Sequence, residues 1–121
     1  MTNGENLRRF GAHQKSLALF DLVVTDLSPL ARNSTLHRLI AQQLASADSI
    51  AANIEEGYGR GSRKDYSHFL IIARGSAQET CGLYERFKHW LPSTTIEARV
   101  ALCGEIIGIL SSTIKTLRAQ D

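Results

Sequence analysis

Between Ile96 and Leu117 the residues Ile96, Val100, Cys103, Ile107, Leu110, Ile114 and Leu117 recur at alternating steps of four and three. A helix is the element that presents such a repeat as one continuous seam, and a seam of that length must be covered by other helices. Three further stretches are helical in the same way. Leu17, Phe20, Val24 and Leu27 share one face. Leu36, Ile40, Leu44, Ala47, Ile50, Ile54 and Tyr58 share another, followed by Tyr66, Phe69, Ala73, Ala77, Thr80, Leu83, Phe87 and Trp90. No stretch shows strong strand-type alternation, and Pro29 and Pro92 both fall between the periodic stretches.

The expected fold is all-α: an antiparallel up-down-up-down four-helix bundle in a single domain, 1–121, with helices about 11–27, 36–59, 63–91 and 95–119. Short corners make successive helices antiparallel neighbours. A chain of 121 residues can bury one core without a disulfide or a metal. Cys81 and Cys103 lack the spacing of a zinc or redox motif and are expected to be buried, reduced thiols. No uninterrupted apolar run approaches the roughly eighteen residues of a membrane span, so no membrane partner is expected. The first ten residues, MTNGENLRRF, lack the apolar stretch of a secretion signal, which makes the cytoplasm the expected location.

Gly57, Gly59 and Gly61 crowd between the second and third helical stretches and raise the question of a phosphate loop. A dinucleotide loop follows a strand, and a Walker loop ends in Gly-Lys-Ser or Gly-Lys-Thr. Here the glycines follow a helix, so a helix-ending corner is expected. Ser62 with Asp65, and Thr94 with Glu97, have the spacing of residues that cap a helix start. A turn centred near Gly61 sets small residues of the second helix against small residues of the third, which lets the two axes approach closely. That register places Gln43 opposite Glu79 and Asp48 opposite Arg74, with at least one direct contact expected.

The stretch QLASADSIAANIEEGYGRGSRKDYSHFLIIARGSAQE also carries a resemblance. Gln43, Ala47, Ser49, Ile50, Asn53, Ile54, Glu56, Gly57, Gly59, Arg60 and Ser62, then Tyr66, Phe69, Leu70, Ala73, Arg74, Gly75, Ser76 and Glu79, resemble one signature. It is that of the four-helix-bundle family encoded by intervening sequences in bacterial large-subunit ribosomal RNA genes, with relatives among the Avd accessory proteins of diversity-generating retroelements. The resemblance implies a homo-oligomer, commonly a five-membered ring (homopentamer), with no established catalysis. For the retroelement relatives it implies binding to nucleic acid and to a reverse transcriptase. This chain departs from the usual pattern at His13, where tryptophan is usual, at Ser46, where arginine is usual, and at Glu55, where alanine is usual. Asp48 adds a further negative charge to the stretch.

The net charge of +2 implies no polyanionic partner by itself. Bundle topology, however, brings Arg8, Arg9, Lys15, Arg60, Arg63, Lys64, Lys115 and Arg118 to one end, against Glu5, Glu55, Glu56, Asp65 and Asp121. These eight cations are the candidate contacts for RNA or DNA, with solvated helix-end charges as the other reading. A second apolar line on the fourth helix, Leu102, Ile106 and Ile109, is the candidate oligomer interface, unless it belongs to one broad core face. Gln43, Asn53, Glu56, Gly57, Gly59, Arg74, Gly75, Ser76 and Glu79 are assigned structural roles, Asn53 and Glu56 by tying the 57–62 backbone.

Catalytic, cofactor and metal residues are expected to be none. Di-iron bundles use paired Glu-x-x-His motifs, and this chain has none; His68 and His89, on one helix, lie roughly 32 Å apart. The expected function is therefore a non-enzymatic oligomeric module whose basic end meets RNA, DNA or a nucleic-acid-processing protein. A purely structural protein–protein oligomer is the alternative, and a metal-dependent bundle enzyme a distant third.

Overall fold

The computed structural model describes residues 3–120, with side chains described from Asn6 onward. Five helices are formed among them: α1 Asn3–Arg9, α2 Gly11–Leu27, α3 His37–Tyr58, α4 Arg63–Arg86 and α5 Ser93–Ala119. Helices α2 to α5 make the bundle. Helix α4 packs between α3 and α5, and α2 closes the square by touching both α3 and α5. Helix α1 lies against α2 and was not foreseen, because seven residues are too few to show a periodicity.

The core runs through all four long helices, from Leu19, Val23 and Leu27 of α2 to Ile50 and Ile54 of α3, Leu70 and Tyr84 of α4, and Leu110 and Ile114 of α5. Two faces differ from expectation. Helix α2 turns Ala12, Ser16, Leu19, Val23 and Leu27 inward, leaving Leu17 46 % and Val24 42 % exposed. Apolar residues occur on both sides of this helix, and the small members of the buried stripe conceal it. On α5 the buried line is Cys103, Ile106, Leu110 and Ile114. Ile106 is therefore a core residue rather than an interface residue, which leaves half-buried Leu102 and Ile109 on the second line.

The ends of the helices also depart in part. Helix α4 stops at Arg86 and passes into a tight turn, Phe87–His89, with Trp90 41 % exposed beyond it. Helix α5 begins at Ser93 behind Pro92, and no side chain caps it, so Thr94 and Glu97 do not act as expected. Proline suits that place because the first helical amides lack intrahelical acceptors and its φ is already fixed. The Ser62 cap does form: the Asp65 amide donates to Ser62 Oγ at 3.1 Å. At the corner Gly61 has φ +83° and takes the left-handed conformation that a β-carbon opposes. Gly57 acts differently. A β-carbon there would stand 2.6 Å from Phe69 Cβ, so its bare α-carbon lets α3 and α4 close up just before the turn.

Candidate nucleic-acid interface

Most of the signature residues are spent between helices. Gln43, fully buried, donates from Nε2 to the Thr80 carbonyl at 2.9 Å. Ser46 Oγ lies 3.1 Å from Gln43 Oε1 and 3.0 Å from Thr80 Oγ1. One turn on, the Ser49 and Ser76 hydroxyls meet at 2.8 Å, and Asn53 Nδ2 donates to the Ser49 carbonyl at 2.8 Å. Neither expected cross-helix pair forms. Gln43 turns inward to Thr80, leaving Gln42 to reach Glu79 at 3.5 Å, and Arg74 extends to Ser111 Oγ on α5 at 3.4 Å. Asn53 likewise bonds back along α3 instead of tying the corner, while Glu56 holds Arg60 at 3.0 Å. Gly59 and Gly75 are exposed, and neither is crowded.

Two departures from the resembled signature meet each other. His13 Nε2 donates to Glu55 Oε2 at 2.7 Å, joining the start of α2 to the last turns of α3. That bond leaves the other ring nitrogen, Nδ1, buried with no partner among the described residues. The third departure, Ser46, is buried at the heart of the polar seam.

The eight basic residues of the sequence reading do not form one group. Lys15 bonds Glu105 at 3.1 Å, roughly 20 Å along α5 from Arg118, and so stands away from the helix end. Arg60 is held by Glu56 and lies with its guanidinium carbon 5.0 Å from the centre of the Phe69 ring. Arg8, Arg9, Arg63, Lys64, Lys115 and Arg118 are exposed and form no ion pair among the described residues. Lys64 and Arg118 line one cleft of about 290 Å³ together with Ser67, His68 and Ile71. The Glu5 side chain and Asp121, counted against these cations above, lie outside the described residues.

Tyr58 and Tyr66 pack edge to face at 5.7 Å beside the corner, both half-buried. Burial, with a smaller effect from Tyr58, pushes the Tyr66 phenol up to about 12. Rings held this way are poor platforms for a base. The far end of the bundle contains a charged cluster that sequence reasoning missed. Asp26, on α2, accepts two bonds from Arg99 of α5 at 2.8 and 3.0 Å and a third from Tyr84 of α4 at 2.8 Å. Its only local signal was an aspartate between Val23 and Leu27 in the last turn of α2. Among the described residues no three His, Cys, Asp or Glu side chains gather as a metal site. Both cysteines are free; burial is the main influence pushing Cys103 up to about 12, and it raises Cys81 as well.

The family model described as "23S rRNA-intervening sequence protein" matches residues 8–112. A crystal structure of a protein of unknown function from the S23 ribosomal protein family of Bacteroides thetaiotaomicron is similar throughout. Its TM-score is 0.80 at 29 % identity, over 86 % of this chain and 98 % of that one. The comparison with curated proteins gives no match.

Proposed function

The chain belongs to the 23S rRNA-intervening sequence protein family, and from that footing we propose that it is a non-enzymatic, homo-oligomeric helical module whose basic end binds RNA or DNA. One observation carries the reading: six exposed cations with no ion pair among the described residues gather on the helix ends and the glycine corner, against four such cations, Arg32, Arg38, Arg86 and Lys88, at the opposite end. Cations without protein carboxylates are available to phosphates, and repetition of the set around a ring would strengthen the field. A binding module is favoured over an enzyme because the polar residues of the signature are engaged in bonds within and between the helices and at the α4 cap.

Oligomerisation, as a five-membered ring by the family resemblance, is supported by α5. By length and composition alone this helix is apolar enough to cross a membrane, yet only 22 % of its most apolar window is buried within the bundle. The earlier expectation counted uninterrupted runs and so missed a window broken only by occasional polar residues. Another copy of the chain, packed over Leu102 and Ile109, accounts for that surplus without a bilayer. The same surface suits the alternative reading, a purely structural protein–protein oligomer, and a reverse transcriptase or similar processing protein is a further partner for the basic end.

Fluorescence anisotropy with a short single-stranded RNA at graded salt tests the proposal. Affinity should fall steeply with salt, and changing Arg63, Lys64 and Arg118 to glutamine should flatten the slope by about 0.7 per lost phosphate contact. Salt-independent binding, or a slope unchanged in the variant, would remove the nucleic-acid reading. Light scattering on Ile109→Glu checks the assembly, which should lose mass relative to the wild-type chain.

A further inference from the structure

We propose that the cleft between the start of α4 and the end of α5 receives the terminal phosphomonoester of a nucleic-acid strand. This rests on the reading that the basic end meets nucleic acid. Lys64, Ser67, His68 and Ile71 are spaced to form one stripe on α4, and Arg118 faces them from α5 across about 290 Å³. None of the lining residues is acidic. The groove between α2 and α5 is different, since its Lys15 is already bound to Glu105.

Ser67 points to the ligand. It is 5 % exposed, yet its hydroxyl makes no hydrogen bond among the described residues. Hydroxyls at comparable helical positions, such as Thr80 and Thr113, donate to the carbonyl four residues before them. Among the described residues only His13 Nδ1 is both fully buried and unpartnered, so the Ser67 oxygen keeps an edge open to solvent. A hydroxyl held out of the helical bond while lining a cationic cleft is a donor free for a ligand. Lys64 supplies an ammonium, Arg118 a planar fork suited to two phosphate oxygens, His68 a ring N–H, and Ile71 an apolar wall. A terminal phosphate brings about −1.5 to −2 charge and three free oxygens near neutral pH. An internal diester brings one charge and two free oxygens, so it would leave part of this donor set unused.

The test is anisotropy on the full chain with one RNA sequence, end-labelled, either phosphorylated at its free terminus or left as the hydroxyl. The phosphorylated strand should bind about tenfold tighter, as one charge-assisted contact set implies. Ser67→Ala and Arg118→Gln should each erase that preference, with circular dichroism confirming the fold. Arg8→Gln with Arg9→Gln should weaken both strands equally. Inorganic phosphate at matched ionic strength should displace the phosphorylated strand selectively, and far less avidly than that strand binds.

Equal binding of the two strands, with salt dependence intact, overturns the cleft and leaves the basic-end reading standing. No binding of either strand overturns both. A preference that survives Ser67→Ala and Arg118→Gln places the phosphate elsewhere and also overturns the proposal. Inorganic phosphate binding as tightly as the strand would make the ligand free phosphate, not a strand end.

Discussion

The two ends of this bundle put arginine to different uses, although the Asp26 end also carries Arg32, Arg38, Arg86 and Lys88 exposed and without an ion pair among the described residues. At the Asp26 end, Arg99 and Tyr84 both lie within 3.0 Å of Asp26 and tie α2, α4 and α5 together. At the glycine-corner end, Arg63, Lys64, Lys115 and Arg118 stand in solvent and form no ion pair among the described residues. Charge reveals little until its partner is known. A guanidinium facing a sequestered carboxylate is structure, whereas one facing water is available to a ligand.

The largest effect expected from this contrast is on stability. Arg99→Ala leaves Asp26, whose side chain is 7 % exposed, without its counter-charge. Breaking such a pair should cost about 3 kcal/mol in urea unfolding. The salt slope of RNA binding should not move; a cost under about 1 kcal/mol would mean that the two ends are not different in kind. Gly57→Ala comes next, at about 2 kcal/mol, because the new β-carbon collides with Phe69 Cβ and the helices must part. Unchanged unfolding in that variant would show that the corner yields freely.

Tyr84→Phe should cost about 1 kcal/mol at neutral pH through the lost bond to Asp26. Burial first, and then the bond to Asp26, hold the Tyr84 phenol above its ordinary range. Stability from a raised phenol is full below its unfolded value of about 10 and is lost as pH climbs above it. Wild-type stability should therefore fall on alkaline titration, and the gap to Tyr84→Phe should narrow. A gap constant from neutral pH to about pH 11 would contradict the assignment. The smallest effect should come from Arg63→Gln with Lys64→Gln, within about 0.5 kcal/mol of wild type by thermal melting, because solvated charges contribute little to folding.

Much of the architecture was legible in the sequence. The heptad of α5, the glycine corner and the Ser62 cap are local patterns, and local patterns report local structure. The buried face of α2 was not legible, since Leu17 and Val24 compete with Leu19 and Val23 for the inside and only the neighbouring helices decide. Asp26 and Arg99 are 73 residues apart, and no spacing rule connects them. The register of the central hairpin was close but wrong in its details. Gln43 has an amide that can turn either outward to Glu79 or inward to the Thr80 carbonyl, and it turns inward. Among the basic residues, sequence could place helix ends together but could not see that Glu105 claims Lys15 or that Glu56 claims Arg60.

Gly57 has a mechanical consequence for the cations. It forms a pin at which the bare α-carbon of one lever rests on Phe69 and Tyr66 of the other, and Lys64 sits just beyond that pin on the α4 arm. Widening the joint by even a methyl group's width would tilt the tip of α4 relative to the tail of α5, carrying Lys64 away from Arg118. The angle at which this protein offers its charges is thus governed by a residue that has none.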